Sequence, residues 1–372
     1  MIPIAKPFLG EEEAALAREA ILSGWVTQGP KVKQFEQDFC AFTGAKHAVA
    51  VSNCTTALHL AMVVSEIGIG DEVICPSMSY VATANSVRYV GATPVFAEVN
   101  QEYNLDIEDV KRKITRKTKA ILLVHQIGMP ADIDAYSDLC AERNLTLIED
   151  AACAIGSAYK GNKIGSHSNL VCFSFHPRKV ITTGDGGMIA TQSEEIADKL
   201  RLLRQHGMSV NDRVRHESKK VIEEDHVVLG YNYRLTDIQA AVGIEQLKRL
   251  PGIIEERRKI AQVYHDAFKD LPGIVLPLEN PGYFSNYQSY SVWLKDYDKA
   301  FRDQVMQNLL DQGIATRRGI MTAHRETAYQ GFTADLPLSE HFADTSICLP
   351  LFVPMSQADI QAVIVNFKAQ FK

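Results

Sequence analysis

The runs Leu145-Thr-Leu-Ile-Glu-Asp150 and Leu170-Val-Cys-Phe-Ser-Phe175 decide the fold, because each is a short apolar stretch typical of a buried strand. Helical patterns separate these runs from further strand-like segments, which cover residues 48–52, 72–75, 94–97, 120–124 and 187–191. Such alternation predicts an α/β fold with a largely parallel sheet that has helices on both faces. Ligands bind beyond the carboxyl ends of strands in such sheets, which is where Asp150 stands.

The pattern changes in the last third of the chain. Residues 236–250 predict one helix that stops at Pro251-Gly252, and residues 253–271 predict a second. Shorter strands and helices follow. We therefore expect a large domain over residues 15–250 and a smaller C-terminal α/β domain over residues 251–372, with residues 1–14 packing against the small domain.

Bulk composition excludes several classes of function. The 372 residues carry a net charge of −6 with an isoelectric point near 6.0, which gives no electrostatic case for binding nucleic acid or an anionic membrane. The seven cysteines show no Cys-x-x-Cys pair, which indicates a reducing compartment and no metal site. We find neither a signal peptide nor a membrane span, so we expect a cytoplasmic protein.

Lys179 lies between an apolar strand and the glycine-rich turn Gly184-Asp-Gly-Gly187. A lysine amine forms a Schiff base with an aldehyde, and a carboxylate beside a pyridine nitrogen keeps that nitrogen protonated. Alone, Lys179 could be a surface charge and Asp150 a helix cap. Together they predict a site for pyridoxal 5′-phosphate.

The segment Ser52-Asn-Cys-Thr-Thr-Ala57 joins a predicted strand to a predicted helix. The free amides of a helix N-terminus, with Thr55 and Thr56, predict an anion site for the cofactor phosphate, although Thr55 could simply cap the helix. Ser174 could add a hydroxyl. Tyr80 could stack on the pyridine ring or be an ordinary core aromatic.

These elements occur in a wider pattern. The chain resembles the DegT/DnrJ/EryC1/StrS aminotransferases, sugar-modifying members of the fold-type I pyridoxal phosphate enzymes. The resemblance covers nearly the whole chain and rests on Ser23-Gly-Trp-Val-Thr-Gln-Gly29, Ser52-Asn-Cys-Thr-Thr-Ala-Leu-His-Leu-Ala61, Val124-His-Gln-Ile-Gly128, Glu149-Asp-Ala-Ala152, Cys172-Phe-Ser-Phe175, Gly230-Tyr-Asn-Tyr-Arg234 and Leu235-Thr-Asp-Ile-Gln-Ala-Ala241.

The resemblance implies an aspartate-aminotransferase-like fold whose large domain has a mostly parallel seven-stranded sheet. It implies Lys179 as the Schiff-base lysine, Asp150 as the partner of the pyridine nitrogen and Tyr80 as the stacking residue. It places Thr55, Thr56 and Ser174 on the phosphate. It further implies a homodimer with shared sites, in which Asn232 reaches the cofactor phosphate of the neighbouring subunit.

The chain departs from the family pattern at two positions. Cys153 stands where Gln or His often faces the cofactor hydroxyl, and because a thiol is a weak donor we assign that task to Gln126. Cys54 replaces a usual glycine in the phosphate turn, where the Thr55 amide remains. Trp25, Arg318 and His324 are candidate sugar or diphosphate contacts, with surface packing as the open alternative for each.

The resemblance implies transfer of an amino group from glutamate to a nucleotide-linked keto-6-deoxy sugar, with pyridoxamine 5′-phosphate as the intermediate cofactor form. We expect a UDP-linked 4-keto sugar that becomes a 4-amino sugar, and a dTDP-linked 3-keto sugar is the alternative. Sugar dehydratases of the family carry histidine in place of the lysine, so Lys179 argues against that activity. A cofactor-binding regulatory protein is a further alternative, but the chain has no basic extension for DNA.

Overall fold

The computed structural model describes residues 1–210, 221–332 and 334–371. Its strands are β1 (His47–Val51), β2 (Glu72–Pro76), β3 (Thr93–Ala97), β4 (Thr118–Val124), β5 (Thr146–Asp150), β6 (Ala158–Tyr159), β7 (Asn162–Lys163), β8 (Val171–Ser174), β9 (Gly187–Thr191), β10 (Tyr283–Phe284), β11 (Tyr290–Trp293), β12 (Arg317–Arg318) and β13 (Ser346–Leu349). Its α-helices are α1 (Glu11–Ser23), α2 (Pro30–Thr43), α3 (Cys54–Val64), α4 (Ala82–Tyr89), α5 (Ile107–Lys113), α6 (Ile133–Arg143), α7 (Glu194–Leu203), α8 (Asp237–Phe268), α9 (Lys299–Asp311), α10 (Pro337–Thr345) and α11 (Gln357–Lys368).

A seven-stranded sheet in the order β1-β9-β8-β5-β4-β2-β3 forms the centre of the large domain. β9 is antiparallel to both of its neighbours, and the pairings from β8 to β3 are parallel. Strand β1 shows why the sequence runs are apolar throughout. Ala48 and Ala50 pack on the side of α2 and α8, whereas Val49 and Val51 pack on the side of α3 and α7. The predicted mostly parallel, doubly covered sheet is confirmed.

One edge of this sheet collects the predicted cofactor residues. β5 ends at Asp150, β8 ends at Ser174 just before the Lys179 loop, and β1 leads into α3. The antiparallel strand β9 begins at the same edge with Gly187. The strand order thus brings together segments that are far apart in the sequence.

Helix α8 corrects one prediction. The sequence predicts a helix end at Pro251, but α8 runs from Asp237 to Phe268 without a break. Proline removes one backbone hydrogen bond and crowds the preceding turn. Burial on both sides of Pro251 offsets this cost, because Leu250 and Ile254 pack in the large domain and Tyr264 packs in the small domain. The expected division between residues 15–250 and 251–372 therefore falls inside a continuous helix.

The small domain is built on the sheet β11-β13-β12 and packs α9, α11 and the end of α8 around one core. The N-terminal segment joins it, since Ile2 pairs with Ile314 and Leu351 N donates to Ile4 O at 3.3 Å. No helix within the described ranges is long and apolar enough to cross a lipid bilayer.

Candidate active site

Lys179 lies in a tight loop between β8 and β9. The loop is fixed by Thr182, whose hydroxyl donates to Phe175 O at 2.7 Å and whose N–H donates to Gln246 Oε1 at 3.2 Å. The backbone N–H of Lys179 donates to His176 O at 2.8 Å. The half-buried lysine side chain is thereby held at the ligand-binding edge of the sheet.

The amine of Lys179 donates to Cys153 Sγ at 3.2 Å. Burial lowers the pKa of this amine. The interactions with Cys153 and Asp150 raise the pKa by more than burial lowers it, so the net pKa lies above the ordinary value of a lysine. Without cofactor, the amine is therefore an ammonium group at neutral pH. It must lose a proton before it can act as a nucleophile.

Asp150 is buried and oriented by two donors. Its Oδ2 accepts from Thr83 Oγ1 at 2.9 Å and its Oδ1 accepts from Ala152 N at 3.1 Å. Thr83 Oγ1 also lies 2.8 Å from Ser79 Oγ, which ties the Asp150 carboxylate to the loop that carries Tyr80. Tyr80 is 70% exposed, so it is not the core aromatic that the sequence left open.

The N-terminus of α3 is capped by Asn53, whose Oδ1 accepts from Thr56 N at 2.9 Å. Thr55 is therefore not the cap. The Thr56 hydroxyl donates to Asn53 O at 2.7 Å. Within the part of the chain that the structure describes, the N–H groups of Cys54 and Thr55 have no hydrogen-bond acceptor. These free donors at the positive end of a helix dipole suit a phosphate.

Gly187 brings this turn against the end of β8. It pairs with Ser174, and a Cβ at position 187 would stand 2.5 Å from the carbonyl carbon of Asn53. Only glycine permits that approach. Burial raises the pKa of the Cys54 thiol well above its usual value, and the nearby charge of Asp150 raises it further. The turn, Ser174 and Asp150 therefore lie close together at one edge of the sheet.

Gln126 is buried beside the same edge. Its amide nitrogen donates to Met78 O, and its backbone N–H donates to Asn104 Oδ1 at 3.0 Å. The side chain therefore supports the loop that precedes Tyr80. Whether it also faces a cofactor hydroxyl stays a prediction.

Asn232 has an exposed side chain, and its backbone pairs with Gln205. The next residue, Tyr233, accepts a hydrogen bond from Ser52 N at 2.8 Å. The segment that carries Asn232 thus passes beside the α3 turn.

The candidate substrate contacts differ in their surroundings. Trp25 is half-buried in the loop after α1. Arg318 is exposed on β12, with Glu326 3.6 Å away. A role for Trp25 or Arg318 in binding the substrate stays a prediction.

His324 is held between two side chains. Its Nδ1 lies 2.5 Å from Ser77 Oγ, and its Nε2 lies 3.0 Å from Glu340 Oε1. Because Thr322 also pairs with Met78, this segment runs along the loop that leads to Tyr80. With both ring nitrogens occupied, His324 joins two segments of the chain, and a substrate contact through either nitrogen would require one of these bonds to break.

Comparison with known proteins places this arrangement in a family. The sequence model of the DegT/DnrJ/EryC1/StrS aminotransferase family matches residues 7–368. The chain belongs to this family. The aminotransferase is 35% identical to TlmJ from Streptoalloteichus hindustanus, with a TM-score of 0.92 and coverage of 100% of this chain and 98% of the other.

Two further solved structures are similar over the whole aminotransferase. PseC from Helicobacter pylori, an aminotransferase involved in the biosynthesis of pseudoaminic acid, is 30% identical with a TM-score of 0.92, covering 100% of this chain and 99% of that one. Spr1654 from Streptococcus pneumoniae, assigned as a sugar aminotransferase, is 28% identical in its pyridoxamine phosphate form, with a TM-score of 0.95 and coverage of 100% and 99%. Its pyridoxal phosphate form is also known.

The geometry of the aminotransferase fits the same cofactor. Four kinds of group lie at one edge of the sheet, and each suits one part of this cofactor. The Lys179 amine suits the aldehyde and the buried Asp150 carboxylate suits the pyridine nitrogen. The exposed Tyr80 ring suits the ring face, and the two free N–H groups at the start of α3 suit the phosphate. The cofactor is pyridoxal 5′-phosphate, which alternates with pyridoxamine 5′-phosphate.

Three residues of the site had no signal in the sequence. Asn286 Nδ2 donates to Cys153 O at 2.8 Å, and Gln288 Nε2 donates to Arg178 O at 3.0 Å. Thr83 orients Asp150. Asn286 and Gln288 belong to a small-domain loop more than a hundred residues away, so only the folded chain brings them to the aminotransferase site.

A separate groove of about 460 Å³ lies between α2, β1 and α7. None of the residues that surround Lys179 lines it. We therefore place the reaction of the aminotransferase at the sheet edge and not in this groove.

Proposed function

We propose that the chain transfers an amino group from glutamate to a nucleotide-linked keto-6-deoxy sugar, and that a UDP-linked 4-keto sugar becomes a 4-amino sugar. The observation that carries the proposal is the Lys179 amine, held by Cys153 at the same sheet edge as the oriented Asp150 carboxylate. Family membership and the similarity to PseC support a sugar acceptor.

We assign the cofactor contacts as follows. Asp150 meets the pyridine nitrogen, Tyr80 covers the ring, and Gln126 is the candidate partner of the ring hydroxyl. The phosphate lies on the α3 N–H groups, with hydroxyls from Thr55, Thr56 and Ser174. When bound, the cofactor supplies an electron sink for the carbon that loses its proton.

Lys179 moves the proton in this proposal. With the cofactor bound, its Nζ would be the base that takes a proton from the α-carbon of the amino donor and holds it for return. Cys153 Sγ, 3.2 Å away, accepts one N–H and so limits the directions in which the amine can point. Asp150 stays in place because Thr83 and Ala152 both donate to it.

We propose Arg318 and Trp25 as contacts of the nucleotide sugar. Arg318 is exposed, its nearest carboxylate is 3.6 Å away, and a guanidinium group binds diphosphate well. Arg318→Ala should raise the KM for the nucleotide sugar several-fold and leave the KM for glutamate unchanged. Arg317→Ala, on the same strand with its side chain on the other face, is the matched control.

We further propose a homodimer in which Asn232 completes the site of the neighbouring subunit. Apolar side chains are exposed on two adjoining segments, with Leu22 67% and Leu229 86% exposed. The two segments adjoin because Gln28 Nε2 donates to Gln205 Oε1 at 3.3 Å, and Gln205 pairs with Asn232. Exposed apolar side chains on neighbouring segments suit contact with a second copy of the chain.

The substrate is tested with UDP-, dTDP- and GDP-linked 4-keto and 3-keto 6-deoxy sugars. Each is incubated with enzyme and glutamate, and products are identified by mass spectrometry together with 2-oxoglutarate release. We expect amination of the UDP-linked 4-keto sugar, and none with Lys179→Ala. If a dTDP-linked 3-keto sugar is aminated in preference, it becomes the proposed acceptor in place of the UDP-linked 4-keto sugar. If none of these nucleotide sugars is aminated, the nucleotide-sugar proposal is overturned.

A further inference from the structure

The contact between Lys179 and Cys153 is held from both sides. Asn286 Nδ2 fixes the backbone of Cys153 through its carbonyl at 2.8 Å, and Gln288 Nε2 fixes the residue before Lys179 through Arg178 O at 3.0 Å. The 3.2 Å separation between Nζ and Sγ therefore joins two anchored loops. A sulfur and an amine at this distance can form a covalent bond with only a small movement.

The other thiols near the site are less suited to oxidation. Burial raises the pKa of Cys54 and Cys172 well above the usual value for a thiol, and the Asp150 charge raises both further. Burial likewise raises the pKa of Cys40, outside the site, to about 11. The thiolate is the form that attacks peroxide, so we expect these three thiols to react slowly. Cys153 is partly exposed and has a cationic amine as its hydrogen-bond donor.

We propose that Cys153 and Lys179 form a peroxide-sensitive pair, in which oxidation links Sγ to Nζ as a sulfenamide and removes the amine from catalysis. The Cys153 thiolate first attacks hydrogen peroxide, so that the O–O bond breaks, an S–O bond forms and hydroxide leaves. The hydroxide takes a proton from the Lys179 ammonium and becomes water, and the neutral amine then attacks the sulfenic sulfur, so that an S–N bond forms, the S–O bond breaks and a second water leaves. One thiol, one amine and one peroxide give one sulfenamide and two waters, and two equivalents of an added thiol reverse the reaction with formation of a disulfide.

The state of the cofactor controls this reaction. The aldehyde form would hold the Lys179 amine in a Schiff base, whereas with the amine form Lys179 would be free to contact Cys153, as it does in this structure. The protein that waits for a keto acceptor is thus the sensitive one. This state dependence rests on the role proposed for Lys179, whereas the cross-link rests only on the contact between the two side chains.

The test converts the holoenzyme to its amine form with glutamate, removes the glutamate and adds hydrogen peroxide. Digestion without reductant and mass spectrometry should show the Cys153 and Lys179 peptides joined, with a mass two hydrogens below their sum. Activity should fall as the joined peptide appears, and dithiothreitol should restore both. The aldehyde form should give at least several-fold less of the joined peptide at the same peroxide dose.

Two variants make the result specific. Cys153→Ser should give no joined peptide, and Cys40→Ser should give as much as the wild type. Inactivation of the wild-type amine form without the joined peptide would overturn the proposal. So would the finding that Cys153 is still a free thiol at peroxide doses that inactivate the enzyme completely. A joined peptide that forms equally in both cofactor forms would keep the cross-link and contradict the role of Lys179.

Discussion

Asp150 owes its role to its immediate neighbours. Thr83 and Ala152 each donate to one carboxylate oxygen, and Asp150 is the last residue of β5. If Asp150 meets the pyridine nitrogen as proposed, Asp150→Asn should keep the cofactor bound and slow proton abstraction on the order of a hundredfold or more, because the nitrogen would lose its charge partner. Single-turnover reaction with glutamate measures this. An unchanged rate would assign Asp150 a structural role.

Gly187 controls the shape of the phosphate turn. A methyl group there would meet Asn53 O at 2.6 Å and Cys54 N at 2.8 Å, both of them backbone atoms that cannot rotate away. Gly187→Ala should therefore weaken cofactor affinity at least tenfold, measured by absorbance titration of the cofactor-free protein. Gly252→Ala is the control, since nothing lies within 4 Å of a Cβ there. Equal affinities for both variants would contradict a phosphate site at the α3 turn.

The raised pKa of Lys179 predicts a pH dependence for cofactor loading. Burial alone lowers this pKa, but Cys153 and Asp150 raise it above the ordinary value. Only the neutral amine attacks the aldehyde, so the rate at which the cofactor-free protein takes up pyridoxal phosphate should rise with pH throughout the neutral to mildly alkaline range. Stopped-flow absorbance follows it. A rate that is flat or falls over that range would show that the amine is already neutral.

Among the elements, α8 supports the site from the small-domain side. The buried guanidinium of its Arg257 donates to Tyr287 O at 2.8 Å, Gln288 O at 2.6 Å and Leu351 O at 3.1 Å. Burial lowers the pKa of Arg257 to about 9, which still leaves it charged at neutral pH. The helix thereby fixes the loop whose Asn286 holds Cys153.

Arg257→Met should remove the donor from three carbonyl groups, of which that of Leu351 is buried. We expect a loss of about 1–3 kcal/mol in the free energy of unfolding and a lower kcat, with partial recovery in Arg257→Lys, which keeps the charge but not the fork of donors. Denaturant unfolding and steady-state kinetics check this. Normal kcat in a destabilised Arg257→Met would separate the loop from catalysis.

The elements also show what the sequence can and cannot predict. The strands were predictable because both faces are buried, so their residues are apolar throughout. The unbroken α8 was not predictable, since the packing of Leu250 and Ile254 that outweighs Pro251 is tertiary. Lys179 and Asp150 could be proposed from the sequence because their chemistry is unusual beside an apolar strand, and their roles stay predictions. Thr83 and Asn286 have ordinary polar side chains and gain a role only through contacts across the fold.

Two of the motifs that resemble the family, at residues 23–29 and 235–241, have a structural role. The Asp237 carboxylate at the start of α8 accepts from Gly29 N at 2.8 Å, Lys31 N at 3.0 Å and Val32 N at 2.9 Å. It therefore caps α2 from a position about two hundred residues away. The segments at residues 23–29 and 235–241 therefore contact each other where α2 and α8 begin, and neither sequence segment predicts this contact by itself.

At the scale of the whole molecule, the shared site is the main prediction. Lys179→Ala and Asn232→Ala subunits should each be inactive as homodimers. Mixed under conditions of exchange, some heterodimers will contain one site with both residues intact, and activity should partly return. Differently tagged subunits verify the exchange. A mixture that stays inactive after verified exchange would contradict the contribution of Asn232 across the subunit boundary.

We propose that Lys179 carries the amino transfer from glutamate through pyridoxal phosphate. The most direct measurement is the visible absorbance of the purified holoenzyme during addition of glutamate, with 2-oxoglutarate measured in the same sample. The wild type should lose its aldehyde-form band and release one 2-oxoglutarate per site. Lys179→Ala should retain bound cofactor and release no 2-oxoglutarate on the time scale of the wild-type reaction. Release at the wild-type rate by Lys179→Ala, or no response to glutamate in the wild type, would contradict the account.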